Sequence, residues 1–272
     1  MTTNILNMSF VNYFKEHGYF EYPIYDLYPA IQKLAENWQS FCEQPYFEKN
    51  KFPFYEQNGG YEYQDADSLD FKETFYFSLD SDFAFNKASS VTFDLLENAE
   101  DFLTMFQFLI KDIVEIMDKA SGSNMAYMLD PERFTLKFIH YFPTIGTQRE
   151  KTLLAAPDID KGITIHLYED SSGLEILWNR EWKKVIHKQK FLLGYFGILG
   201  QYYSKGVLPA LSHRVSPHMK SIQHGRSAIV LSVEFGDAFF DNEISGSAQQ
   251  VFPNGENYNM PHEEFSKYFK RF

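Results

Sequence analysis

The chain has 272 residues, enough for one sizeable core, and one large domain is as compatible with that length as two. Its 25 basic against 37 acidic residues leave a net charge of −12, which argues against nucleic acid and against an anionic membrane surface as partners. A single cysteine, Cys42, excludes an internal disulfide and fits a reducing cytoplasm.

In chain order, the N-terminus lacks a basic segment leading into an apolar run, so no signal peptide is expected, and no apolar stretch reaches the roughly 18–20 residues of a membrane span. The expectation is a soluble cytoplasmic protein. Tyr28, Ile31, Leu34, Ala35, Trp38, Phe41 and Cys42 recur at spacings of three and four and predict a helix, with Pro29 near its start where the missing N–H costs nothing. From Asp101 a longer helix is predicted, its stripe made by Phe102, Phe106, Leu109, Ile113 and Met117. Between the two, "GGYEYQDADSLDFKETFYFSLD" alternates aromatic residues and predicts short extended segments.

After Pro131 the texture changes. "RFTLKFIHYFP", "KTLLAAPDID", "GITIHLYED", "GLEILWNREWKKVI", "KFLLGYFGILGQYY", "ALSHRV" and "RSAIVLSVEF" are short runs rich in β-branched and aromatic residues. Gly, Pro, Asn and Ser punctuate them about every ten residues, the pattern of a sandwich or jelly roll. "GITIHLYEDSSGLEIL" predicts a hairpin, and the tail "MPHEEFSKYFKRF" a helix. Helices first and strands afterwards, with no linker, predict a single α+β domain over 1–272: a mostly helical region 1–125, a strand-rich core 131–240 and a C-terminal segment 241–272. Aromatic residues make up 18% of the chain, which suits ring-lined walls or simply an aromatic core.

Dinucleotide and nucleotide loops, HExxH and GxSxG motifs are absent, and one cysteine cannot build a zinc–thiolate site. What remains is an ordered series: Gly60-Tyr61 with Asp70-Phe71-Lys72-Glu73-Thr74-Phe75; Phe138-Ile139-His140-Tyr141-Phe142-Pro143; Asp158-Ile159-Asp160-Lys161-Gly162-Ile163-Thr164; Gly173-Leu174-Glu175-Ile176; Glu181-Trp182 to Val185; Ala210-Leu211-Ser212-His213-Arg214-Val215; and Arg226. Over nearly the whole chain, in colinear order, this series resembles the isopenicillin N synthase-like branch of the iron(II)- and 2-oxoglutarate-dependent oxygenases.

That resemblance implies a double-stranded β-helix (jelly-roll) core, iron(II) at one mouth of the barrel, 2-oxoglutarate as cosubstrate, and a small-molecule substrate such as an amino acid or peptide-derived metabolite, hydroxylated or desaturated. It implies Asp160 and His213 as metal ligands, Arg226 as the partner of the far carboxylate of 2-oxoglutarate, and Tyr141 beside the cosubstrate or substrate. The family's serine, two places after the arginine, is replaced by Ala228; Ser227 stands next to it and is the candidate cosubstrate-binding residue in its stead, although its parity is that of the other strand face. Asp158 stands where the family's first histidine ligand belongs, and His140 replaces an asparagine and is a candidate replacement ligand. Two carboxylates and one imidazole leave a divalent metal neutral, where one carboxylate and two imidazoles leave +1. The alternative reading is therefore an impaired or repurposed member that binds a ligand or partner without the iron chemistry. His166 is expected on a barrel strand, and His187 at the surface.

Overall fold

The computed structural model describes residues 12–55, 59–68, 70–83, 85–235, 247–251 and 257–261. After the helical residues 12–17 (α1) come β1 (Phe20–Pro23), α2 (Tyr28–Cys42), α3 (Tyr46–Lys49), β2 (Gly60–Gln64), β3 (Lys72–Phe77) and α4 (Ser90–Ser121). The remainder is β4 (Thr135–Tyr141), β5 (Ala155–Ile159), β6 (Ile163–Glu169), β7 (Leu174–Trp178), β8 (Glu181–Lys184), β9 (Phe191–Phe196), α5 (Ile198–Tyr203), β10 (Ser212–Val215), α6 (Met219–His224), β11 (Arg226–Val233), β12 (Ser247–Val251) and β13 (Asn257–Pro261).

Two antiparallel sheets face each other. The larger has the order β1-β9-β6-β11-β4-β3-β2 and the smaller β5-β10-β7-β8, with β12 and β13 paired separately. The alternation of strands β4 to β11 between the sheets is the expected jelly roll. The N-terminal region contributes more than helices, since β1 caps one edge of the large sheet and β2–β3 extend the other.

Helix α2 begins where the apolar spacing places it, at Tyr28. Helix α4 begins at Ser90, eleven residues before the predicted Asp101: the Ser89 hydroxyl caps it by accepting the Thr92 N–H at 3.2 Å. Val91 and Thr92, poor helix formers, masked that first turn. Gly122, at φ +73°, ends the helix in the left-handed conformation that glycine tolerates. Both helices pack on the outer face of the large sheet through Trp38, Phe41, Phe102, Phe106, Phe75 and Phe138, all almost fully buried. Burying each such ring is worth roughly 1.5–3 kcal/mol.

The predicted hairpin over Ile163–Ile176 does not form. Strand β6 pairs with β11 and β9 in the large sheet, whereas β7 pairs with β10 and β8 in the small one. The connection between them crosses the barrel, held by Asp170 N–H to the Ser227 carbonyl (3.1 Å) and Ser216 N–H to the Gly173 carbonyl (2.8 Å). The predicted C-terminal helix lies outside the described residues, apart from Met260 and Pro261, which belong to β13.

Candidate metal and anion site

Asp160 follows the last residue of β5, and its main chain is pinned there. The Ile198 N–H at the start of α5 donates to the Asp160 carbonyl (3.0 Å), Leu199 N–H to that of Lys161 (3.0 Å) and Gly197 N–H to that of Gly162 (2.6 Å). A Cβ on Gly162 would collide with the Val233 carbonyl oxygen, and one on Gly197 with the Asp160 carbonyl, so both glycines permit this close approach. The Asp160 carboxylate accepts the Thr164 hydroxyl at 2.5 Å and lies 3.7 Å from His213 Nε2. That separation is too long for a hydrogen bond, and one cation with bonds of about 2.0–2.2 Å to each can bridge it.

Burial pushes the Asp160 carboxyl up, but His213, Lys137 and the Thr164 hydroxyl together hold it below its ordinary value. Burial holds the His213 imidazole below its ordinary value despite the neighbouring Asp160, so this nitrogen stays neutral and available as a ligand. His213 Nδ1 is buried with no hydrogen-bond partner. The Asp160–His213 pair therefore suits a divalent metal.

Asp158 is paired with His213 across the β5–β10 ladder and lines the same cavity. Its carboxylate, however, is exposed and accepts its own neighbour's N–H, that of Ile159, at 2.8 Å. It does not join Asp160 and His213 within 4.8 Å; among the described residues the one such threesome of His, Cys, Asp or Glu is Cys42, Glu73 and His140. His140 accordingly departs from its expected place. It projects from the outer face of β4 toward α2, with Nδ1 3.0 Å from Glu73 Oε1, and does not line the cavity. Glu73 also holds Lys49 Nζ (2.5 Å) and accepts the Tyr61 hydroxyl (2.7 Å), so an ammonium already provides the cation in that cluster. Burial pushes the Cys42 thiol up, which keeps it protonated.

A cavity of about 180 Å³ runs from the Asp160–His213 pair between the sheets to Tyr141 and Arg226. Arg226 is 1% exposed, its guanidinium 5.6 Å from the centre of the Tyr141 ring. Nε donates to the Ser171 carbonyl at 3.2 Å, and Nη2 is buried. Glu169 Oε1, 2.9 Å from Nη2, pairs with it and balances the charge. A guanidinium that lines the closed end of a cavity, with donors to spare beyond Ser171 and Glu169, fits a ligand carboxylate. Ser227, next to Arg226, is absent from the cavity lining, as its parity on β11 dictates; it pairs with His140 in the ladder.

Glu169 was not legible as a site residue. Strict alternation along β6 sends Thr164, His166 and Tyr168 inward. An irregularity opposite Ile229 and Val230 adds one residue to β6, so that Val230 faces His166 and Ile229 faces Tyr168, and Glu169 turns inward instead. His166 lines the cavity and is also satisfied, with Nδ1 2.8 Å from Glu169 and Nε2 3.3 Å from the Tyr195 hydroxyl. His187, expected at the surface, has a buried Nε2 without a partner, and burial lowers its pKa.

Burial raises the Glu169 carboxyl, but Arg226 and His166 overcome this and bring it from the ordinary 4.5 to about 2. A depressed carboxyl stabilises the fold fully above its unfolded value and ceases to do so as pH falls through its folded value. Acid unfolding is therefore expected to contain a component between pH 4.5 and about 2 that Glu169→Gln removes, as followed by far-ultraviolet circular dichroism.

No protein-family model matches the sequence, and no curated protein matches it. Solved structures do. The chain is similar to a full-length Neurospora crassa protein in complex with alpha-KG and 5-formyluracil (16% identity, 98% of this chain and 90% of that one, TM-score 0.72). It is also similar to the Arabidopsis thaliana dioxygenase for auxin oxidation 1 with 2-oxoglutarate (17%, 88% and 90%, 0.70), and to JOX2 in complex with 2OG, Fe and JA (17%, 92% and 77%, 0.68). The fold is the one these oxygenases share.

Proposed function

We propose that the chain is a non-heme iron(II), 2-oxoglutarate-dependent oxygenase acting on a small molecule, in the isopenicillin N synthase-like branch. The observation that carries this reading is the cavity itself, with Asp160 and His213 3.7 Å apart at one end and the buried guanidinium of Arg226 at the other. The small molecules bound in the Neurospora crassa protein and in JOX2 support a small substrate here.

Iron(II) and 2-oxoglutarate, when bound, supply the oxygen-activating chemistry. The chain's own residues do the rest. Asp160 and His213 would hold the metal, and Asp158 would be the third ligand once its side chain leaves the Ile159 N–H. Arg226 would receive the far carboxylate of the cosubstrate, and Tyr141, whose hydroxyl burial keeps protonated, would be the neighbouring donor. Leu174, Val215, Ile139 and Ala228 keep the walls apolar and exclude water. Among the described residues no helix is long and apolar enough to cross a membrane. The acidic charge fits neither nucleic acid nor an anionic bilayer, and the single cysteine suits a reducing compartment, which supports placing the protein, as one domain, in the cytoplasm.

Anaerobic calorimetric titration of the purified protein with iron(II), and then with 2-oxoglutarate, tests the reading. Stoichiometric binding of both, with 2-oxoglutarate lost in Arg226→Gln, is the expected result. Absence of metal binding would overturn it and leave a repurposed ligand-binding barrel.

A further inference from the structure

The inner face of the large sheet carries side chains in one line from the anion end to the mouth. On β11 these are Arg226, Ala228, Val230 and Ser232, with Glu234 continuing the parity past the strand end; beside them on β4 lie Tyr141, Ile139, Lys137 and Thr135. At the mouth the face opens into a vestibule of about 1020 Å³ that reaches Asp158 and Asp160.

Most charges along this line are matched. Arg226 faces Glu169 at 2.9 Å, Lys72 holds Asp70 at 2.8 Å, and Asp160 is tied to Thr164. Arg133 and Lys161, also in the vestibule, have contacts of their own. Two charges lack a close ionic partner among the described residues. Lys137, half-buried and lining both the cavity and the vestibule, has no described carboxylate within 4.0 Å. The Glu234 carboxylate makes no hydrogen bond or ion pair among the described residues, and its Oε2 is buried. The two are more than 4.0 Å apart and form no direct ion pair, so each keeps its contact position open although Lys137, like Lys161, acts on Glu234 through space.

Unpaired polar and charged groups in a partly buried wall cost free energy that a complementary ligand recovers. A simple carboxylate would satisfy Lys137 and leave Glu234 orphaned; a simple amine would do the reverse. We infer that Lys137 and Glu234 take the carboxylate and the protonated amine of a zwitterionic α-amino acid, which they hold in the vestibule beside Asp160. This names the substrate class of the site described above and rests on the oxygenase reading only for what happens to the bound molecule.

The test is saturation-transfer NMR of the full chain with pools of the twenty standard L-amino acids, then calorimetry of each hit against its decarboxylated amine and its N-acetyl derivative. At least tenfold weaker binding of both truncated forms is expected. Lys137→Met should narrow only the gap to the amine to under threefold, and Glu234→Gln only the gap to the N-acetyl form. No hit in any pool, truncated forms that bind equally, or gaps that persist in both variants would overturn the inference. The iron(II) and 2-oxoglutarate titration reads the oxygenase reading separately. Cosubstrate binding without amino-acid binding defeats this inference alone; the predicted pattern without cosubstrate binding defeats the oxygenase reading alone.

Discussion

Arg226→Gln is expected to lower the unfolding free energy by about 3–5 kcal/mol at neutral pH, because it strands the Glu169 carboxylate in a wall where both partners are at most 3% exposed. The neutral glutamine cannot balance that charge, and His166 at 2.8 Å relieves it only in part. Glu169→Gln in the same chain should recover most of the loss, since removing both charges of a buried pair is far cheaper than removing one. Urea unfolding of the two single variants and the double variant measures this directly. If Arg226→Gln alone costs less than about 1 kcal/mol, the pair is solvated and the cavity is wetter than its burial indicates.

The second large effect concerns the metal. Asp160→Asn should weaken iron(II) binding at least about a hundredfold, because it removes the pinned, ionised ligand that faces His213 while keeping the side-chain shape. Asp158→Asn should weaken it less, about tenfold or under, because that carboxylate is exposed and must first leave the Ile159 N–H. Asp158→His places an imidazole opposite His213 in the ladder and changes the liganded charge from neutral to +1. A unit charge at about 4 Å and an effective dielectric of 20 is worth roughly 4 kcal/mol, so 2-oxoglutarate affinity should rise along with iron affinity. Anaerobic titrations of the four proteins settle the order. A wild type that binds iron in the micromolar range while Asp158→His adds nothing would make Asp158 a full ligand as it stands.

Much of this was readable from residue order. Through the resemblance that they carry, the interval from Asp160 to Gly162, the "HRV" at His213 and the position of Arg226 implied the jelly-roll core that the chain has, and Gly162 stands where a side chain would collide with the Val233 carbonyl. Orientation was less readable. Asp158 shares the strand parity of Asp160, but a side chain at a strand end chooses between cavity and solvent by local hydrogen bonds that the sequence does not encode. Glu169 sits in "HLYED" like a turn residue, and one added residue in β6 is enough to turn it inward against Arg226 and His166. The predicted hairpin failed for a related reason: Asp170–Gly173 has the composition of a tight turn, and only the partners of β6 and β7 reveal that it joins two sheets.

Strand β4 and its neighbour β3 divide two charged networks. Glu73 and His140 point outward to Lys49 and Tyr61 beneath the helices, while Lys72, Thr74, Lys137 and Tyr141 point inward to the cavity. Because alternate residues on one strand belong to different faces, the inward set can drift in charge and size with little effect on how the helices dock. A lineage bearing this sheet can exchange one ligand chemistry for another while its scaffold stays under separate selection.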